Sequence, residues 1–212
     1  MSGRKRLIRR LRKIISNREV NNTVLKRIRS FEETGRSKKK TFSELCFCIL
    51  TANYSAEGGL KIQRECEKDF SRLNEQKLAE RFRKLGYRYP RSRARYIVEA
   101  RNIYSEIWRV VKNSIDPLKA RKWLVDNVLG LGFKEASHFL RNIGFKNIAI
   151  IDKHVLRILH KYGLIEIIPS TLSESKYLEI ERILSKIAGE LNVSLAELDL
   201  YLWYMDTGRI LK

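Results

Sequence analysis

Hydrophobic residues recur every three or four positions through most of the chain, which predicts a protein built almost wholly of α-helices. The first apolar stripe lies opposite a face of arginines and lysines, and a second stripe follows it directly. The stripes are Leu7, Ile8, Leu11, Ile14 and Ile15, then Val20, Val24, Leu25, Ile28 and Phe31. The short apolar run 148–151 has no partner run, so no strand is expected. The pattern predicts an all-α fold of two helical lobes flanking a cleft.

Turn and capping residues set the predicted helix boundaries. The stretch EETGRSKKK at 32–40 is read as a linker, and Thr41 with Glu44 as a capping box that opens the third helix. Further helices are expected over 56–70, over 75–85 and, as one long element, from near Pro90 past Val111. In the second half, helices are expected after Asp116-Pro117, after Asp152 to about Tyr162, and after the capping boxes Thr171-x-x-Glu174 and Ser194-x-x-Glu197.

Composition indicates an ordinary globular protein without covalent staples. The chain has 212 residues and is 43% hydrophobic, and we expect residues 1–212 to form a single unit of two interleaved helical lobes. No apolar stretch approaches the length of a membrane span, and the N-terminus lacks the pattern of a signal peptide. The three cysteines (Cys46, Cys48 and Cys66) give no disulfide framework, which favours a reducing cytoplasm. Neither a metal site nor a cofactor is expected.

Charge is the unusual property of the composition. Lysine and arginine number 44 against 24 acidic residues, a formal charge of +20. This excess predicts a polyanionic partner, with nucleic acid as the first choice. A basic surface that binds nothing is one alternative. A basic amphipathic helix lying on a membrane is another, but the charge excess continues well past the first helix.

The most informative segment runs from Leu129 to Asp152. A helix over 117–128, a tight turn over 129–132 and a helix over 133–143 predict a helix–hairpin–helix unit at about 117–143. Glycine lets the chain reverse tightly, and the turn can present the backbone N–H groups of Gly130, Leu131 and Gly132 to a DNA phosphate. Such contacts position a protein on DNA without reading its sequence. The alternative is an ordinary turn between two helices with a glycine cap.

Two charged residues in this segment are candidates for catalysis. Lys134 falls in the first turn of the second helix, where the positive end of the helix dipole disfavours the charged form of an amine. An uncharged lysine is a nucleophile, although a phosphate contact is the simpler alternative. Asp152 follows 18 residues later and is also a good N-cap for the next helix. The two interpretations of Asp152 are compatible, because a capping carboxylate is held in place.

These motifs resemble those of the helix–hairpin–helix superfamily of DNA glycosylases. Members of that superfamily carry Leu-Pro-Gly-Val-Gly-x-Lys and, farther on, Val-Asp-x-His. Here the first motif reads Val-Leu-Gly-Leu-Gly-Phe-Lys at 128–134 and the second Ile-Asp-Lys-His at 151–154. Leu129 replaces the proline. The resemblance implies that Lys134 and Asp152 are catalytic, and that Lys134 makes the enzyme bifunctional: it forms a Schiff base with the sugar and cleaves the backbone by β-elimination.

Other segments resemble the archaeal type-2 8-oxoguanine DNA glycosylase/AP lyase family. They are CILTANYSAEGG at 48–59, GYRYPRSRARYI at 86–97 and the C-terminal WYMDTGRILK. The resemblance implies that Trp203 stacks on the flipped base and that Lys212 recognises it through its terminal carboxylate. It also implies that Asn53 and Tyr89 fill the gap left in the helix, as base flipping requires. The simpler alternatives are a core tryptophan, a disordered terminal lysine, a helix-ending asparagine and a half-buried tyrosine.

The leading hypothesis is therefore a monomeric enzyme, located with the nucleoid in the cytoplasm, that excises 8-oxoguanine from duplex DNA and cleaves the abasic site. An endonuclease III-like lyase acting on oxidised pyrimidines is a second hypothesis, although the four C-terminal cysteines that bind an iron–sulfur cluster in that branch are lacking. A non-catalytic DNA-binding module that uses only the hairpin is a third.

Overall fold

The computed structural model describes residues 2–210 and contains only helices as regular secondary structure over that range. The prediction of an all-α fold is confirmed. The helices of the described residues are α1 (Gly3–Ile15), α2 (Arg18–Arg36), α3 (Lys38–Thr51), α4 (Ala56–Cys66), α5 (Glu75–Lys84), α6 (Pro90–Asn102), α7 (Tyr104–Asn113), α8 (Pro117–Asn127), α9 (Phe133–Asn142), α10 (Lys153–Lys161), α11 (Glu174–Leu191) and α12 (Leu195–Thr207).

The chain divides into two compact units. The terminal unit combines the residues up to Glu33 with those from Gly144 onward, and the central unit runs from Thr34 to Ile143. In the terminal unit, α1 packs against α11 and α12, and α10 packs against α12. In the central unit, α3 packs against α4, α6 and α9, and α8 packs against α9. The predicted hairpin therefore belongs to the central unit, and Asp152 belongs to the terminal unit.

Helix α3 forms the core of the central unit. Every residue from Thr41 to Thr51 is buried, as expected for a helix that is covered on all sides. Buried Asn142, at the end of α9, donates a hydrogen bond to Glu44 Oε1 of α3 at 2.5 Å. The second helix of the hairpin is thus fixed to the most buried element of its unit.

The predicted linker at 32–40 is wrong. Helix α2 continues to Arg36, and only Ser37 separates it from α3. The predicted capping box at Thr41 is also wrong, because Ser37 is the N-cap and accepts a hydrogen bond from the Lys40 backbone N–H. Thr41 is fully buried, and its hydroxyl donates to the Thr34 carbonyl oxygen at 3.1 Å. A polar, lysine-rich sequence is compatible with helix when its cations face solvent.

Three other boundaries differ from the prediction. The long element expected from Pro90 past Val111 is two helices, interrupted at Ile103. Helix α4 ends at Cys66 rather than near residue 70. The N-cap of α11 is Ser173, not Thr171, because the Ser173 hydroxyl accepts from the Lys176 backbone N–H. The capping box at Ser194 is confirmed: its hydroxyl accepts from the Glu197 N–H, and the Glu197 carboxylate accepts from the Ser194 N–H.

The three cysteines form no disulfide, which agrees with the composition. Cys46, Cys48 and Cys66 are all free thiols in the protein interior. Burial raises the pKa of the Cys66 thiol to about 11 and that of Cys46 well above its usual range, so both are inert as nucleophiles. No helix in the described part of the chain has the length and apolar character needed to cross a bilayer.

Candidate active site

The hairpin joins α8 to α9 and begins with a capped helix. The Asp116 carboxylate accepts hydrogen bonds from the backbone N–H groups of Leu118 at 2.8 Å and Lys119 at 3.5 Å, so the predicted N-cap is confirmed. The last turn of α8 closes with a bond from the Val128 N–H to the Leu124 carbonyl oxygen. The predicted bounds of both hairpin helices agree with the structure to within one residue.

Gly130 is the residue of the turn that must be glycine. Its φ is +83°, in the left-handed region, and a Cβ built there would lie 2.5 Å from the ring of Tyr96. Gly132 differs, because its φ of −90° is open to any residue and a Cβ would meet only the flexible Glu135 side chain. Gly130 is therefore required by the backbone conformation, whereas Gly132 leaves the end of the turn exposed.

The turn presents fewer N–H groups than expected. The Leu131 N–H donates to the Val128 carbonyl oxygen at 3.2 Å, and the Leu131 side chain is buried, so this residue stabilises the turn itself. Gly132 is the N-cap of α9 and has no side chain to accept a hydrogen bond. Within residues 2–210, the Gly132 N–H has no acceptor, and it lies at the positive end of the α9 dipole.

Lys134 lies in the first turn of α9 with about one third of its side chain exposed. Its Nζ atom is 3.4 Å from Oε1 of Glu135, a carboxylate whose side chain is only 14% exposed. Sequence analysis did not single out Glu135, although its place at the start of a helix is typical of an acidic residue. The lysine side chain is thus partly exposed, and an acid beside it restrains its position.

A buried arginine fixes the first turn of α9 from behind. Arg121 of α8 is 1% exposed and donates to the Ser137 hydroxyl at 3.2 Å. Its guanidinium also lies 5.2 Å from the ring centre of Phe133, the residue directly before Lys134. Removing the hydrogen bond or the aromatic contact of a buried cation lowers the stability of the fold. Arg121 therefore positions the helix turn that carries Lys134, and no periodic pattern predicted this role.

Asn53 and Tyr89 lie in the two loops of the central unit where wedge residues were expected. Asn53 is exposed, follows the end of α3 and has a φ of +58°. Among residues other than glycine, asparagine is one of those that adopt this conformation most readily. The backbone of Asn53 therefore fits the interpretation of a helix-ending asparagine. Tyr89 is the N-cap residue of α6 and is half-buried. The guanidinium of Arg88 lies 5.0 Å from the centre of the Tyr89 ring.

Arg93 connects these residues to the hairpin. Its Nη2 donates to the Ala52 carbonyl oxygen, one residue before Asn53, at 2.9 Å. Its guanidinium carbon lies 5.4 Å from the ring centre of Tyr89 and 5.3 Å from that of Tyr96, the ring that covers Gly130. One arginine thus ties together the two candidate wedge loops and the hairpin turn. Arg93 and Tyr96 were not predicted, because only tertiary contacts distinguish them from the other residues of α6.

In the terminal unit, the segment 148–151 leads to Asp152 and is buried throughout. Side chains of α11 supply the hydrogen bonds that a neighbouring strand would otherwise provide. The Ala149 N–H donates to Glu181 Oε1 at 2.8 Å, and the Tyr177 hydroxyl accepts from the Ile151 N–H at 3.1 Å and donates to the Ala149 carbonyl oxygen at 2.9 Å. These contacts explain how an extended apolar run is stable without a sheet.

Asp152 is the N-cap of α10, as predicted. Its Oδ1 accepts from the Val155 backbone N–H at 2.9 Å, which holds the carboxylate at the positive end of the helix. The preceding residue, Ile151, is the one fixed by Tyr177. The carboxylate is therefore restrained on both sides, by the helix after it and by the buried segment before it.

Trp203 of α12 is half-buried and packs against His154 of α10, with ring centres 4.4 Å apart. His154 also donates through Nδ1 to the carboxylate of Asp206, to which Arg157 donates at 3.2 Å. The hydrogen bond from His154 is the main cause that lowers the pKa of Asp206, and Arg157 adds to it against the effect of burial. The Trp203 indole N–H is buried, without a hydrogen-bond partner within residues 2–210. Lys212 lies outside the described residues.

No group of three or more histidine, cysteine or acidic side chains with the geometry to hold a metal ion occurs among residues 2–210.

The sequence of this chain is similar to those of proteins of known family. The family model for 8-oxoguanine DNA glycosylase matches residues 24–193. An 8-oxoguanine DNA glycosylase/AP lyase of Korarchaeum cryptofilum is 50% identical over 193 residues, covering 91% of this chain and 92% of the relative. A protein of the same name from Methanocaldococcus jannaschii is 48% identical and covers 93% and 96%.

Solved structures agree with this result. The crystal structure of the M. jannaschii 8-oxoguanine DNA glycosylase matches with a TM-score of 0.92 and 47% identity, covering 98% of this chain and 97% of that one. The same enzyme in complex with a 15-mer DNA containing 8-oxoguanine also gives a TM-score of 0.92, covering 97% and 99%. With these matches across nearly the whole of each protein, the chain belongs to the 8-oxoguanine DNA glycosylase family with a helix–hairpin–helix motif.

Proposed function

We propose that this chain removes 8-oxoguanine from duplex DNA and cleaves the strand at the abasic site. The observation that carries the proposal is its similarity, at about half of all positions and over more than nine tenths of both chains, to proteins named 8-oxoguanine DNA glycosylase/AP lyase. Lys134 and Asp152 stand where the superfamily motifs have their catalytic residues. Buried side chains restrain the residue before each of them, Phe133 through Arg121 and Ile151 through Tyr177, which supports these roles.

Lys134 is the nucleophile in this mechanism. As a free amine, Nζ forms a bond to C1′ of the damaged nucleotide while the bond from C1′ to the base breaks, and the base leaves with the electron pair and takes up a proton. Ring opening gives a Schiff base. Loss of a C2′ proton then expels the 3′ phosphate by β-elimination, and water releases the lysine. Asp152 takes the proton of the lysine or stabilises the positive charge that develops on the sugar.

The other site residues bind the DNA. Trp203 offers an indole face to the flipped purine, a contact worth about 1–3 kcal/mol per stacked base. Lys212 is proposed to contribute to recognition of the flipped base, as the family resemblance implies. Asn53 and Tyr89 fill the gap and support the unpaired base. The turn from Gly130 to Gly132 holds a phosphate at the N-terminus of α9.

We further propose that the protein acts as a monomer on chromosomal DNA in the cytoplasm, without a cofactor and without a membrane partner. Sedimentation of the protein alone and with one equivalent of lesion duplex tests the stoichiometry. A dimer in either sample refutes it.

Borohydride trapping tests the reaction. The protein is incubated with a duplex carrying one 8-oxoguanine and reduced, which converts a Schiff base into a stable adduct seen as a shifted band. We expect the wild type and Lys122→Gln to form the adduct and Lys134→Gln to form none. Lys122 is the matched control, because it lies in the first helix of the same hairpin and pairs with Asp126 at 3.0 Å, as Lys134 pairs with Glu135 at 3.4 Å.

The outcomes separate the competing functions. Trapping on a duplex with an oxidised pyrimidine but not with 8-oxoguanine would indicate an endonuclease III-like enzyme. Duplex binding without any adduct would indicate a non-catalytic DNA-binding module. Strand cleavage retained by Lys134→Gln would exclude Lys134 as the nucleophile.

A further inference from the structure

Helix α1 carries a concentrated positive charge that the proposed chemistry does not use. Its 13 residues include seven lysines and arginines and no acidic residue. Two of the seven have partners in α11: Arg4 pairs with the Glu190 carboxylate, and Arg12 donates to the Glu190 carbonyl oxygen at 3.4 Å. The other five side chains are exposed and form what we call the basic face, namely Lys5, Arg6, Arg9, Arg10 and Lys13.

None of the five side chains of the basic face has an ion pair or a hydrogen bond to another described residue. They fall in rows four residues apart, Lys5-Arg9-Lys13 and Arg6-Arg10, which place successive cations on the same side of the helix. From Lys5 to Lys13 the helix rises about 12 Å. One strand of duplex DNA carries three or four phosphates over that length of axis.

The opposite face of α1 decides what kind of polyanion fits. Leu7 and Leu11 are fully buried, and Ile8 is 5% exposed, because α1 packs against α11 and α12. A helix that binds a membrane surface inserts its apolar face among the lipids. Here that face is already covered by protein, so α1 offers charge alone. Charge without apolar area suits a phosphate backbone.

We propose that the basic face of α1 is a second DNA-binding surface, which contacts the phosphate backbone of undamaged duplex. This inference goes beyond the proposed excision reaction. It rests on the proposed function only because it takes duplex DNA as the partner. Contacts of this kind carry no base information and bind anywhere along a duplex. The basic face therefore contributes to holding the enzyme on DNA during the search for damage, not to the chemistry.

The test measures binding of an undamaged duplex as a function of salt. In the triple variant Lys5→Gln, Arg9→Gln and Lys13→Gln, we expect the slope of log K against log salt to become less steep by about 2 to 3, since each phosphate contact contributes about 0.9. Affinity at 0.1 M salt should weaken by about tenfold or more. Trapping of an abasic-site duplex at saturating enzyme should keep the wild-type rate.

A second triple variant is the control. Lys176→Gln, Arg182→Gln and Lys186→Gln remove the same charge from α11 of the same unit, where four glutamates accompany three basic residues. We expect this control to keep a slope close to that of the wild type. Equal slopes for the two triple variants would overturn the proposal, because the effect would then come from net charge alone.

Two further measurements close the remaining alternatives. If the first triple variant does not fold, Arg9→Glu alone should reduce the slope by about 1, and an unchanged slope would refute the proposal. Stronger binding to vesicles of anionic phospholipid than to duplex at the same salt would refute it in favour of a membrane. If the wild type binds undamaged duplex but forms no borohydride adduct with the lesion duplex, the proposed excision function is refuted. The salt dependence of the variants then still tests the basic face.

Discussion

Replacing Tyr177 by phenylalanine should destabilise the segment that carries Asp152. The Tyr177 hydroxyl makes two hydrogen bonds to the main chain, accepting from the Ile151 N–H and donating to the Ala149 carbonyl oxygen. Tyr177 is 1% exposed and both partners are buried, so water cannot replace the lost bonds without an opening of the unit. Phenylalanine keeps the ring, and no cavity larger than the hydroxyl arises.

The magnitude follows from the two groups left without a partner. An unsatisfied buried donor or acceptor costs about 1–3 kcal/mol. The carbonyl oxygen tolerates the loss better than the N–H, so we expect a decrease of about 3 kcal/mol in the free energy of unfolding. For a protein of this size, 1 kcal/mol corresponds to about 2–4 °C in Tm, so Tm should fall by about 6–12 °C.

Tyr201→Phe is the matched control. Tyr201 is an equally buried tyrosine of the same unit, but its hydroxyl donates to a side chain, Asn21 Oδ1, at 2.7 Å. Its loss should cost about 1 kcal/mol. Thermal unfolding and strand cleavage at a temperature where all variants are folded are measured together. We expect slower cleavage for Tyr177→Phe only. A loss of stability no larger than that of Tyr201→Phe, or full cleavage activity, would refute the reasoning.

Gly130→Ala should cost about 1–3 kcal/mol of stability because of its positive φ, while Gly132→Ala should cost much less, and comparison of their Tm values checks this. Arg93→Met should slow excision from duplex by about tenfold but leave Schiff-base trapping on a single-stranded abasic oligonucleotide near the wild-type rate. The lowered pKa of Asp206 means that its stabilising effect is present at neutral pH. The effect begins to weaken below about pH 4, where the carboxyl of the unfolded chain takes up a proton, and it is lost once the pH falls below the lowered pKa of the folded state. The stability difference between wild type and Asp206→Asn should be at most about 1 kcal/mol at pH 7, because the pair with His154 is partly exposed. This difference should shrink at acid pH.

Local signals predicted most of the helix boundaries. Ser194, Asp116 and Asp152 act as the predicted N-caps, because a capping side chain bonds to its own next turn and needs nothing from elsewhere. The same signal was misleading at Thr41. There the partner of the proposed box, Glu44, is 4% exposed and accepts from Asn142 of α9, so a tertiary contact has taken the carboxylate that would have capped the helix.

The residues that hold the site in place could not be predicted in the same way. Arg93 and Tyr177 act on main-chain groups 41 and 28 positions away, at Ala52 and Ala149. Arg93 lies in the segment 86–97 that resembles the family, but nothing there distinguishes it from the neighbouring arginines, and Tyr177 lies in no motif. Sequence patterns report which face of a helix is buried, but they do not report which distant carbonyl oxygen a buried polar atom will meet.

The two units solve the same physical problem in the same way. A residue proposed to be catalytic at the start of a short helix needs its preceding main chain held fixed, and in neither unit does regular secondary structure do this. In the central unit the buried guanidinium of Arg121 holds Phe133, just before Lys134. In the terminal unit the Tyr177 hydroxyl holds Ile151, just before Asp152. Because each restraint lies wholly within its own unit, a change to one should alter the chemistry of the proposed catalytic residue in that unit and leave the local structure around the other intact.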